Sequence, residues 1–339
     1  MPRDAAAIPT VSIVVRTRNR PTLLAEALRD IASQDYTDFE VVLVNDGDDT
    51  RTVEEAVTAV PAIADRVRII DRTNLEHGRA RAANAGVRAA RGELLVLHDD
   101  DDTWATDFLS VTVDHLRRHP DAQAVSAHTE VIIHRTDPAT GEERLEHLLL
   151  NPSLTAISIM DMVRENRVTT HSLLYRAAVH EEIGFLDEDL VAHEDWDFYL
   201  RFIVRYPIDL IPLPARAFWH HRPEAIGDEG NSVFVLDADH DAGRVRVQDN
   251  HLRTSIARIG LGPALHLAAE TKALEADLRA QQEAVFDLRE RLERLERQVN
   301  ALPATLEQIQ TGVAQIAPLV LERTSIGSLF RRAGRMLRR

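Results

Sequence analysis

Four short runs constrain this chain more than any other feature. "VSIVV" (11–15), "EVVLVND" (40–46), "RVRII" (66–70) and "ELLVLHD" (93–99) are rich in Val, Ile and Leu, and the first is apolar but for Ser12. A strand that is apolar on both faces needs cover on both faces, which is how parallel sheets are built. Helical segments separate the runs. "PTLLAEALRDIASQ" (21–34) puts Leu24, Leu28 and Ile31 at helical spacing, with Pro21 in the first turn. A second helix is expected near 52–60 and a third over "GRARAANAGVRAARG" (78–92). Strand alternating with helix predicts an α/β fold, an open and mostly parallel sheet with helices on both faces. Ligands of such sheets bind beyond the carboxyl ends of the strands. Two acidic clusters fall there, Asp46 after "VVLVN" and Asp99 to Asp102 after "LLVLH".

The middle of the chain is less regular. "AVSAHTEVIIHR" (124–135) reads as a strand pair, "EDWDFYLRFIVR" (194–205) as an amphipathic helix with acids in its first turn, and "IDLIPLP" (208–214) as a further strand. Near Pro263 the character changes. Leu274, Leu278, Gln281, Val285, Leu288, Leu292, Leu295, Val299 and Leu302 recur at alternating spacings of four and three. With Leu278 as heptad position a, Val and Leu share the a positions and Leu dominates d, which suits a parallel coiled-coil dimer. Pro303 interrupts, yet Leu306, Ile309, Val313 and Ile316 keep the phase. Three parts are expected: a globular domain over 1–250, split at about residue 120, an oligomerisation segment over 264–320, and a basic amphipathic tail over 321–339. From Arg323 to Arg339 the tail carries six arginines and no acid, as expected of a segment that rests on an anionic membrane surface.

The formal net charge of −15 argues against a nucleic-acid partner. The absence of cysteine excludes disulfides, thiolate nucleophiles and Cys-ligated zinc. The first residues lack the apolar core of a signal peptide, so a cytoplasmic protein is expected.

Four consecutive aspartates after a buried strand need a reason, because a buried carboxylate is costly unless paired or metal-bound. Asp99 and Asp101 flank one residue, so both carboxylates can share a hard cation such as Mg²⁺ or Mn²⁺, with diphosphate oxygens completing the shell. An Asp-x-Asp pattern alone is weak, since acidic turns are common.

Three ordered segments add to it. "VSIVVRTRNRPTLLAEALRDIASQDYTDFEVVLVNDGDDT", "NLEHGRARAANAGVRAARGELLVLHDDDDTW" and "GFLDEDLVAHEDWDFYLR" together resemble the inverting family 2 glycosyltransferases, whose nucleotide-sugar-binding fold is called GT-A. The resemblance covers roughly residues 9 to 235. It implies a sugar moved from a nucleotide-sugar donor to a hydroxyl of a saccharide or lipid-linked saccharide, as in cell-envelope or exopolysaccharide synthesis. By resemblance, Asp46 binds the base. Thr17, Arg18, Asn19, Arg20, Gly78, Arg81, Asn84, Asp99 and Asp100 contact the donor. Asp101, together with Asp99, holds Mn²⁺ or Mg²⁺, and His221 (or His220) completes the shell. Asp195 is the general base and Glu194 orients it or touches the acceptor. His171 and Trp196 line the acceptor cleft.

The chain departs from the family pattern in places. Arg16 and Arg18 stand where Pro and Tyr are frequent. Ala83 replaces an arginine whose contact must come from elsewhere, with Arg79 and Arg81 one turn back. His98 precedes the aspartates at an unusual place. An alternative reading is a catalytically weak scaffold that binds nucleotide sugar and organises a glycan assembly complex through its coiled coil.

Overall fold

The computed structural model describes residues 8–47, 49–137, 140, 143–223 and 237–324, with backbone alone at 237–240, 301 and 319–324. The elements in chain order are β1 (Val11–Thr17), α1 (Pro21–Ala32), β2 (Phe39–Asn45), α2 (Thr50–Thr58), β3 (Val67–Asp71), α3 (Arg79–Ala89), β4 (Leu94–Asp99), β5 (Thr103–Trp104), α4 (Phe108–Arg118), β6 (Ala124–Ser126), β7 (Thr129–Thr136), β8 (Glu143–Leu149), α5 (Ile159–Arg164), β9 (Leu173–Arg176), α6 (Val179–Ile183), α7 (Glu194–Arg205), β10 (Asp209–Leu210), β11 (Ala217–His221), α8 (Asp237–Ile259) and α9 (Gly262–Thr324). They form two compact units divided after Leu252.

The first unit is an α/β structure around a seven-stranded sheet of order β10-β6-β9-β4-β1-β2-β3. β1 to β4 run parallel, and β9 is antiparallel to both β4 and β6. Alternate residues of the central strands serve opposite faces, as the pleat requires. Ile13 and Val15 pack with Leu24, Leu28 and Phe108 of α1 and α4. Val14 and Val44 pack with Ala83 and Val87 of α3 and with Trp196 and Phe198 of α7. Helix α3 lies close because residue 86 is glycine: a Cβ there would sit 3.0 Å from the Val44 side chain. The register pairs Thr17 with Asn45 and Arg16 with Asp99, which brings the carboxyl ends of three strands level.

A second sheet of order β5-β11-β7-β8 stands beyond β4 in the chain. The expected strand pair over 124–135 is corrected here. β6 joins the large sheet and β7 the small one. Only Ala127 and His128 separate them, and that link lacks the turn residues a two-residue hairpin needs. Within "IDLIPLP" only Asp209–Leu210 is strand; Pro212 and Pro214 have no N–H to extend the ladder.

The second unit holds α9, 63 residues long. The helix continues through Pro303 and Pro318, so the expected interruption at Pro303 is absent. Among the described residues, no helix is long and apolar enough to cross a membrane. The basic tail expected to touch a membrane lies, beyond Thr324, outside the described residues.

Candidate active site

The site begins with an arginine at the end of β1. Arg16 donates through Nε to Asp99 Oδ1 at 2.6 Å and through Nη2 to Asp99 Oδ2 at 3.3 Å. Its Nη1 donates to Glu194 Oε1 at 3.0 Å. One planar guanidinium thus ties the end of β4 to the first turn of α7, the forked geometry for which arginine is suited. Glu194 is only 1% exposed and takes a second arginine, Arg79 Nη2, at 3.1 Å. Burial raises the Glu194 carboxyl, but Arg79 and Arg16 outweigh it and hold it below the ordinary range. Burial likewise raises Asp99, and Arg16 reverses the effect.

The rest of the aspartate run is held piece by piece. Thr17 Oγ1 donates to Asp100 Oδ2 at 2.6 Å. Arg20 reaches Asp100 at 3.5 Å and Asp101 at 3.0 Å. Asp102 accepts from the His220 backbone N–H at 3.1 Å and lies 3.0 Å from Nδ1 of buried His171. Burial lowers the His171 imidazole, but Asp102 outweighs it and raises the group overall. Arg16 and Arg20 offset the burial of this run only in part. Burial pushes Asp101 and Asp100 above the carboxylate range, with Asp102 beside Asp101 adding to it. His98 lies fully buried edge-on to Trp104, with ring centroids 4.3 Å apart, and burial pushes it down to about 4.

Histidines back this turn. His220 Nε2 lies 2.8 Å from Thr103 Oγ1, and its Nδ1 2.8 Å from His134 Nε2. His134 in turn meets Glu143 at 2.5 Å. That chain fixes the His220 ring within the second sheet. His221 packs edge-on to Trp219 at 4.2 Å, and burial lowers its imidazole. Just after it, Arg222 Nη1 donates to the Asp101 carbonyl at 3.5 Å.

Around the donor-side loops, Asp46 accepts from Arg72 Nε at 3.0 Å and from the Gly78 N–H at 2.8 Å. It therefore ties the loop after β3 to the end of β2. Asn19 adopts a left-handed conformation (φ 57°), and a Cβ at Gly47 would lie 2.9 Å from the Asn19 nitrogen. Glycine at 47 lets these loops close. Arg18 is exposed. Asn84 is fully buried and exchanges bonds with Leu186, donating to its carbonyl at 2.9 Å and accepting from its N–H at 3.0 Å. Arg81 donates to the Glu188 carbonyl at 2.7 Å. Both pin the loop that leads into α7.

Asp195 follows Glu194 in the first turn of α7. Its Oδ2 accepts from Asn166 at 3.1 Å and its Oδ1 from the Trp196 N–H at 2.8 Å. Burial, and then the charge of Glu194, pushes it up to about 6. A carboxylate raised toward neutrality but still ionised at pH 7 is suited to accept a proton. The site thus sets an acid-rich turn at strand ends against a poised carboxylate, joined through Arg16.

Residues 12–184 match the family model described as glycosyl transferase family 2. The chain belongs to that family. It is 30% identical over 204 residues to YwdF, an uncharacterized glycosyltransferase of Bacillus subtilis (strain 168), a match spanning 60% of this chain and 71% of that protein. S. aureus TarS 1-349 in complex with UDP-GlcNAc shares the fold at a TM-score of 0.52 and 17% identity, covering 74% of this chain and 73% of that one. The mannosyltransferase PcManGT from Pyrobaculum calidifontis, in complex with GDP-Man and Mn²⁺, gives a TM-score of 0.50 at 21% identity, covering 78% and 70%. This family 2 chain is a glycosyltransferase with the GT-A type of sheet.

Within the glycosyltransferase fold, several expected residues take other places. Trp196, expected at the acceptor, is 2% exposed and gives its indole N–H to the Met162 carbonyl at 2.6 Å, so it supports the cleft from behind. His171, also expected there, is buried against Asp102 beneath the aspartate turn. Trp196 packs in the core between the sheet and α7, whereas His171 is held by its ion pair with Asp102. Among the described residues, no three acidic or histidine side chains are already gathered as a cation cage. The donor set still fits a divalent ion. Asp101 is a buried carboxylate that burial and then the neighbouring Asp102 and Asp100 raise, and His221 is an imidazole that burial lowers. One or two protein ligands plus diphosphate oxygens suffice for such an ion. Sequence reasoning marked Arg16 only as a departure and passed over Arg72 and Asn166. An arginine in an otherwise apolar strand was the available signal, because such a group demands buried acids.

Proposed function

We propose that this glycosyltransferase moves a sugar from a nucleotide diphosphate donor to an acceptor hydroxyl by a single in-line displacement. The observation that carries the proposal is Arg16, which holds Asp99 of the donor-side turn and Glu194 beside Asp195 in one fork. The acid turn is thereby tied to the residue next to the candidate base. Asp195 takes the proton from the acceptor hydroxyl as its oxygen attacks the anomeric carbon. Attack opposite the departing diphosphate inverts the anomeric configuration. Glu194, locked by Arg16 and Arg79, stays ionised, and its charge makes Asp195 the stronger base. Arg18, exposed just after β1, meets the donor's phosphate or base in this reading. Asp101 and His221 would hold Mn²⁺ or Mg²⁺, which supplies charge neutralisation for the leaving nucleoside diphosphate. PcManGT, seen with GDP-Man and Mn²⁺, favours a divalent ion in this reading. The acceptor class is a saccharide or lipid-linked saccharide.

The stereochemistry tests the displacement. Slow hydrolysis of a turned-over donor, with water as acceptor, should first release the sugar of opposite anomeric configuration, read by proton NMR before mutarotation. Initial release of the same anomer would overturn the single displacement.

A further inference from the structure

We infer that α9 pairs with a second copy of this chain as a parallel, in-register, two-stranded coiled coil over residues 274–316. The helix is 63 residues long, about 95 Å at ~1.5 Å per residue. Helices of proteins owe most of their stability to packing of an apolar face. Along α9 that face is bare. Leu274, Leu278, Val285, Leu288, Leu292, Leu295, Val299, Leu302, Leu306, Ile309, Val313 and Ile316 are each 55–69% exposed. Their spacing of four and three is the seam of a left-handed coiled coil and holds without a break across both halves of the segment. A stripe of that length matches another stripe of that length better than any compact surface.

Three features choose the arrangement. Leu and Val alternate at a while Leu fills d from 288 to 302, a composition compatible with two strands. Gln281 is the one polar residue in the seam between 274 and 316. In a parallel, in-register pair the two Gln281 amides meet and can bond to each other. In an antiparallel pair over the same stretch, each would face an aliphatic residue in the partner's far half. Arg291 at g, paired with Asp287 of its own helix at 2.8 Å, also lies opposite Glu296 of the partner at the following e, twice by symmetry. Glu275, which would face the partner's Glu270, is already paired with Arg279 of its own helix at 3.5 Å.

The chain has no cysteine, so single cysteines report strand order directly. Full-length Leu274→Cys and Ile316→Cys, each oxidised alone, should both give a covalent dimer, while Glu290→Cys on the outer face should not. Light scattering should give the mass of two copies. Leu292→Glu with Leu295→Glu should reduce it to one copy, with the circular dichroism of the first unit retained. Cross-linking only when the 274 and 316 variants are mixed would overturn the parallel order. A mass of one, three or four copies for the unaltered chain would overturn the pairing itself.

Discussion

The two ends of the same strands bury acids in opposite ways. At the amino end, Glu40 is 3% exposed and accepts from Ser12 Oγ at 2.7 Å, from the Arg91 N–H at 2.8 Å, from the Arg91 guanidinium at 2.7 and 3.0 Å, and from Arg68 at 3.3 Å. Burial raises this carboxyl, but the bonds from Arg91 and Ser12 hold it below its ordinary value. The network is closed. At the carboxyl end, Arg16 and Arg20 face Asp99, Asp100 and Asp101, and burial leaves the last two raised. There burial is only partly offset. Burial does not by itself mark a working acid; what marks it is burial with compensation left incomplete, which a cation and a charged substrate can complete.

Four experiments break or sharpen this contrast. Asp195→Asn removes the base without changing shape and should lower kcat by about 10²–10⁴-fold with donor affinity kept. Retained kcat would move the base elsewhere. Arg16→Met leaves Glu194 and Asp99 short of a cation in a buried site and should lower unfolding stability by about 3–5 kcal/mol, read from urea titration. Adding Glu194→Gln to it should recover part of that loss. Glu40→Gln should cost less, about 2–3 kcal/mol, because Arg91 is 55% exposed and water screens the pair. Its kcat per folded molecule should stay unchanged, since the closed end plays no part in transfer. The smallest effect is in the pH profile. Asp195 must be ionised to accept a proton and sits at about 6, so kcat should be flat above pH 7 and fall tenfold per unit below about 6. A midpoint near 4 would mean that neither burial nor Glu194 acts on it.

The large sheet was legible because its central strands are apolar on both faces, and so was the acid turn that ends β4. The small sheet was not. β8 reads "ERLEHLL" and is exposed along nearly its whole length, and β11 reads "AFWHH", so neither has the apolar run that betrays a buried strand. Aspartates 99 to 102 could be placed at a strand end, but not their partners. Arg16 and Glu194 are 178 residues apart, and only the fold brings them within 3.0 Å. Resemblance placed His171 and Trp196 at the acceptor by position in a motif. It carried no information about which way rings point in this chain, and both point inward.

The most direct test of the open end measures nucleoside diphosphate release from a panel of nucleotide sugars, with and without Mn²⁺, for the unaltered chain and for Asp101→Asn in parallel. Mn²⁺ should stimulate release from one donor, and Asp101→Asn should abolish that release. No release from any donor, together with no Mn²⁺-dependent thermal shift by any nucleotide, would contradict this expectation and favour a scaffold that assembles through α9.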